Sequence, residues 1–242
     1  MDRREIALKA TELLETPTEG VEKRIQTLLE DGELISTQSD WLQLPSSWRA
    51  EDNIARSLQS VLKTQSSLPS ILVEKAIEWA QEKAGFGFAD AQTNGIRNAL
   101  SSKVAILTGG PGTGKTTILR AIVSILKAKK AKVMLAAPTG RAARRMAESA
   151  SHFAETVHRL LKFDPSHGGF TVNEKSPLVC DFLIMDETSM LDIRLASALF
   201  RSVPPHAHIL LVGDSDQLPS VGSGNVLKDL IDCELFSVTR VE

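Results

Sequence analysis

The chain has 242 residues, 42% of them hydrophobic and 24% charged, and a formal net charge of −2. That length suits one large domain or a medium domain with a small one, and no window approaches the roughly 20 consecutive apolar residues a membrane helix needs. The opening MDRREIALKATELLE lacks the apolar core of a secretory signal. The two cysteines, Cys180 and Cys233, have no metal-ligand spacing. A reduced, cytoplasmic setting without a membrane partner is the expectation.

Charge is unevenly spread. Residues 1–100 hold 11 Lys/Arg against 16 Asp/Glu, residues 101–165 hold 12 against 3, and residues 166–242 hold 5 against 11. A basic middle between acidic flanks is either a polyanion footprint or a chance cluster of surface lysines.

In chain order, residues 1–86 read as a helical, winged-helix-like domain. Val21, Ile25, Leu28 and Leu29 recur at the spacing of a one-faced helix, and Gly32 stands where a C-terminal cap belongs. Leu34-Ile35 and Trp41-Leu42 with Leu44 suggest a small hairpin. Further helices are expected around Ile54, Leu58, Val61 and Leu62, and over residues 70–83. Beyond Gly87 the texture changes to apolar runs between helical patterns: 104–108, 132–137, 181–186, 208–213 and 236–241. Such runs predict an α/β domain over 87–242 with a mainly parallel sheet. Ligands of such sheets bind at the carboxyl ends of the strands.

The first run leads into GGPGTGKTTILR. Gly109, Gly114, Lys115 and Thr116 complete a phosphate-binding loop between a strand and a helix. Gly109, Gly110, Pro111, Gly112, Thr113, Gly114 and Thr117 belong to the loop that offers backbone N–H groups to phosphates, at a helix N-terminus. Lys115 is expected on the terminal phosphates and Thr116 on Mg²⁺. The third run ends in Asp186-Glu187. An aspartate there orients a metal's shell, and an adjacent glutamate, pointing elsewhere by strand alternation, polarises water; a capping pair for the following helix is the alternative. APTGRAARRM places Arg141, Arg144 and Arg145 on one helix face, as phosphate-backbone contacts or as a solvated charged face. GDSDQLPSVGSG, after the fourth run, offers Gln217 as a sensor of a γ-phosphate.

FADAQTNGI, LTGGPGTGKTT, APTGRAARRM, TVHRLL, DETSMLD and GDSDQLPSVGSGNVL, in this order, resemble the motifs of superfamily 1 DNA helicases of the RecD type. The match covers 88–242 well and the helical first part less specifically. The resemblance implies a RecA-like, ATP-binding motor domain with Mg²⁺ as cofactor. Gln92 matches the reader of the adenine edge, Lys115 and Thr116 the phosphate and Mg²⁺ contacts, and Asp186 the metal aspartate. Glu187 matches the catalytic base and Gln217 the γ-phosphate glutamine. Pro138, Thr139 and His158 fall in motifs that touch single-stranded DNA, and Arg141 joins them as a DNA-facing cation. Residues 162–178 sit where the family inserts a strand-separating β-hairpin, although Pro165 weakens the first arm. The family implies 5′-to-3′ movement, a role in recombination or repair, and nuclease-complex subunits as partners. The family continues into a second motor domain that supplies an arginine finger, so the chain is expected to be a fragment that binds ATP but hydrolyses weakly and does not unwind. Two other readings stay open: a nucleotide-switched DNA- or protein-binding module, and a phosphotransferase on the same loop.

Overall fold

The computed structural model describes residues 2–37, 40–166, 168–218 and 220–241. His167 and Pro219, in the expected hairpin and glutamine loop, lie outside them. The chain divides into two compact units, residues 1–52 and 53–242.

In the first unit, α1 (Arg3–Leu14) starts at Asp2, whose carboxylate accepts from the Arg4 amide at 2.8 Å. That cap satisfies an otherwise orphaned donor of the first turn. In α2 (Thr18–Glu30), Val21 and Ile25 turn inward, onto Ala7 and Leu42. Leu42 opens β2 (Leu42–Gln43), which pairs antiparallel with β1 (Ile35–Ser36). Arg3 and Glu22 join the two helices at 3.0 Å.

The boundary between units falls inside α3 (Pro45–Lys63), not at residue 86. The change of texture at Gly87 marks where strands begin, whereas packing decides the unit. Ile77 and Ala80 of α4 (Val73–Ala84) belong to the core of the second unit.

That unit continues through α5 (Asp90–Ser101), β3 (Val104–Thr108), α6 (Lys115–Ala128), β4 (Val133–Ala137), α7 (Gly140–Ala150), β5 (Ala154–Thr156) and α8 (Val157–Leu160). A small antiparallel pair follows, β6 (Phe163–Asp164) with β7 (Gly169–Phe170). Then come β8 (Phe182–Met185), a 3-10 turn (Thr188–Met190), α9 (Ile193–Ser202), β9 (His208–Gly213), α10 (Val226–Asp232) and β10 (Ser237–Arg240). The main sheet has the order β10-β3-β9-β8-β4-β5, every pairing parallel.

Alternation explains why these strands read as unbroken apolar runs. Ala105, Leu107, Ile184, Leu210 and Val212 join a core with Ile96 of α5 and Ile118, Ile122 and Ile125 of α6. Their neighbours Ile106, Leu183, Met185, Ile209 and Leu211 face the other way and are equally buried. At the amino ends of the strands, His208 lies between the Ser66 hydroxyl (2.7 Å) and the Ser102 carbonyl (2.9 Å). Burial pushes its imidazole down to about 4. Ser67 donates to Asp181 at 2.8 Å, so residues 66–67 are tied to this end of the sheet.

Candidate nucleotide and nucleic-acid site

Parallel register puts the motifs on one edge. Thr108 pairs with Gly213 and Met185 with Leu211, so the loops after β3, β9 and β8 emerge side by side. The loop after β3 runs into α6, whose first turn has Gly114 at its cap and no side-chain cap. The free N–H groups of that turn face any anion placed there. The Lys115 ammonium donates to the carbonyls of Gly109 and, at 2.7 Å, of Gly110. Thr113 braces the loop through the same Gly110 carbonyl at 3.0 Å.

Pro111, Gly112, Thr113 and Gly114 of the loop line a cavity of about 390 Å³. Lys115, Thr116, Arg145, Asp186, Glu187 and Gln217 also line it. Thr117 instead faces a larger groove of about 860 Å³ along α6, which shares Thr116 with the cavity. Gln92, in the first turn of α5, accepts from the Ala89 amide at 3.1 Å and lies against Gly114. In the glutamine loop, Asp214 is buried and its carboxylate accepts from the Asp216 amide at 3.0 Å. Gln217 follows as an exposed side chain at the cavity's rim.

Burial raises the Asp186 carboxyl above its ordinary range; the Glu187 amide, donating at 2.9 Å, pulls it back, Glu187's charge raises it, and Lys115 and Arg145 lower it. A half-buried carboxylate in such a place favours a cation. The donors near it, the Thr116 hydroxyl and the Asp186 carboxylate, are hard oxygens. Among the described residues no cluster of three or more His, Cys, Asp or Glu forms a closed metal cage. One carboxylate plus substrate phosphates is how Mg²⁺ is usually held, so the residues fit that ion.

Two expectations are corrected here. Asp186 and Glu187 do not diverge: both line the same cavity, because the strand ends at Met185 and Glu187 takes a left-handed backbone, φ 52°. Nor do they cap a helix; the carboxylate of Asp192 caps α9 at 2.8 and 2.9 Å. The three arginines of α7 also part company. Arg141 is exposed, Arg144 pairs with Glu148 at 3.0 Å, and Arg145 reaches Glu187 at 3.1 Å. Sequence spacing left Arg145 open between phosphate contact and a solvated face, and only its ion pair with Glu187 shows that it faces the strand-end cavity.

The expected DNA residues share the neighbouring part of the edge. Ala137 pairs with Thr156, so Pro138 and Thr139 at the end of β4 lie level with α8, which carries His158. Thr139 caps α7 by accepting from the Ala142 amide at 3.2 Å. His158 is exposed and packs on Phe163 and Phe170, neither of which the motifs singled out.

A parallel sheet of this order, with a phosphate-binding loop, a strand-end aspartate and a glutamine loop converging on one cavity, defines a RecA-like P-loop nucleotide-binding domain. The family model described as "AAA domain" matches residues 92–223, and the chain belongs to that family. Among curated proteins, it is 39% identical over 193 residues to the ATP-dependent RecD2 DNA helicase of Deinococcus radiodurans, covering 79% of this chain and 26% of that protein. It is 33% identical over 235 residues to the RecBCD enzyme subunit RecD of Mycobacterium tuberculosis, covering 86% and 39%. The RecBCD enzyme subunit RecD of Haemophilus influenzae is 32% identical over 213 residues, covering 76% and 32%. The RecD-type resemblance of the motifs is thus borne out, over a chain that spans between a quarter and two fifths of these relatives' length. No described helix is long and apolar enough to cross a membrane.

Proposed function

We propose that this chain binds ATP with Mg²⁺ and forms the first motor domain of a RecD-type DNA helicase, moving 5′ to 3′ on single-stranded DNA in recombination or repair. The observation that carries the reading is the meeting of Lys115, Thr116, Asp186, Glu187 and Gln217 around one cavity. Phosphate oxygens compete with the loop carbonyls for Lys115 and accept from the N–H groups of α6. Thr116 and Asp186 hold Mg²⁺, which neutralises charge on the phosphates when bound. Glu187 takes the proton of the attacking water, and Gln217 orients that water and reads the γ-phosphate. Gln92, anchored against the phosphate loop, reads the adenine edge. Pro138, Thr139, Arg141 and His158 carry the single strand along the adjacent edge. Relatives named as RecBCD enzyme subunits support a multi-subunit assembly as partner.

Glu187→Gln separates binding from chemistry. It should bind Mg-ATP as the unaltered chain does and hydrolyse it about 10²-fold or more slowly in single-turnover assays. Unchanged turnover would remove Glu187 from the role of base.

A further inference from the structure

Arg145 brings a guanidinium into the cavity around Lys115. Arg145, Met146 and Ser149 all line that cavity, so one face of α7 looks into it. The helix is held there by its other contacts. Met146 is buried in the core that contains Ile118 and Leu119 of α6, and Ala142 and Ala143 are buried with Ala137 of β4. The backbone of Arg145 is thus fixed, while its side chain stays 64% exposed and can turn about its own torsions. Its Nη2 donates to Glu187 Oε1 at 3.1 Å, the one hydrogen bond it makes among the described residues. A guanidinium carries five N–H donors, so most of its fork is left over.

The pair with Glu187 is easily exchanged. Ion pairs this open to water are weak, whereas a phosphate offers the guanidinium a bidentate, charge-assisted partner. The place of Arg145 says which phosphate that is. Loop amides and the α6 N-terminus take the inner phosphates. Arg145 stands instead beside Glu187, and a base must lie against the water that attacks the terminal phosphorus. We propose that Arg145 binds the γ-phosphate of ATP, giving up the Glu187 carboxylate for it. This deepens, and rests on, the triphosphate reading above. The exchange leaves Glu187 to the attacking water only when a terminal phosphate is there to hold the guanidinium, so the base is tied to ATP and not to ADP. It also sets a cation, supplied by this domain itself, on the phosphoryl group that carries the developing charge.

The test is calorimetric titration with Mg-ADP and with the Mg complex of the β,γ-imido analogue of ATP, which is not hydrolysed. The proteins are the unaltered chain, Arg145→Met and Arg144→Met. Arg145→Met keeps an apolar stem at an exposed position, and circular dichroism checks its fold. It should bind the triphosphate analogue about 10-fold or more weakly, and ADP within about 2-fold of the unaltered chain. Arg144→Met, which loses the pair with Glu148 one residue away, should shift neither affinity. Equal affinity of Arg145→Met and the unaltered chain for the analogue overturns the γ-phosphate contact and leaves the triphosphate site standing. So does an equal loss for both nucleotides, or the same selective loss in Arg144→Met. An unaltered chain that binds neither nucleotide defeats the triphosphate reading and the Arg145 contact together.

Discussion

Two glycines of the phosphate loop allow backbone strain to be separated from site chemistry. Gly112 and Gly114 both take left-handed backbones, φ 80° and 89°. A side chain in that region costs roughly 1–2 kcal/mol. A methyl added at Gly112 meets nothing within 4 Å, whereas one added at Gly114 collides with the Gln92 side-chain amide. That amide is the far end of a flexible side chain, so it moves aside at little cost to folding. Gly112→Ala and Gly114→Ala should therefore lose similar stability, about 2–8 °C in melting temperature for a chain of this size. Both should bind nucleotide less well. Only Gly114→Ala should lose base selectivity, because only it displaces Gln92. One lost hydrogen bond of about 0.5–1.5 kcal/mol corresponds to about a 2- to 12-fold fall in the ATP-to-GTP affinity ratio. Thermal melts and titrations with fluorescent ATP and GTP analogues measure both quantities. An unchanged ratio in Gly114→Ala would refute the assignment of Gln92 as the base reader.

Two further outcomes follow from buried groups. The His208 imidazole, held down to about 4 by burial and the Lys103 charge against 6.5 for a free histidine, stabilises the fold in its neutral form. Its contribution is whole above pH 6.5 and erodes as pH falls toward 4, by at most about 3 kcal/mol; urea midpoints between about pH 7 and pH 5 should show the decline and His208→Asn should flatten it. Cys180 is buried with its thiol pushed up to about 12 by burial, whereas Cys233 is exposed, so the native chain should label rapidly at one thiol and at both only after denaturation.

The nucleotide-binding edge was legible because each of its parts sits at the end of an apolar run: the loop after β3, Asp186 after β8, the glutamine loop after β9. The hairpin was expected from the family resemblance alone, over residues 162–178, and β6 pairs with β7 inside that stretch. What escaped was set by packing rather than by local pattern. β5, Ala154-Glu155-Thr156, has no apolar run and exists because it completes the edge of β4. The helix containing Ile77 looks like its neighbours in sequence, yet its apolar face closes the core of the second unit and moves the unit boundary to Asp52. Arg141 and Arg145 lie one helical turn apart on α7, and that turn decides whether a guanidinium faces solvent or Glu187. Phe163 and Phe170 gain meaning only once the hairpin pairs them beside His158.

The central claim is that the cavity around Lys115 is a triphosphate site. Isothermal titration of Mg-ATP into the unaltered chain and into Lys115→Ala tests it most directly. Removing an ammonium that contacts phosphate should weaken binding about 10²-fold or more while leaving the fold intact by circular dichroism. ATP binding of equal affinity in the two proteins would contradict the account.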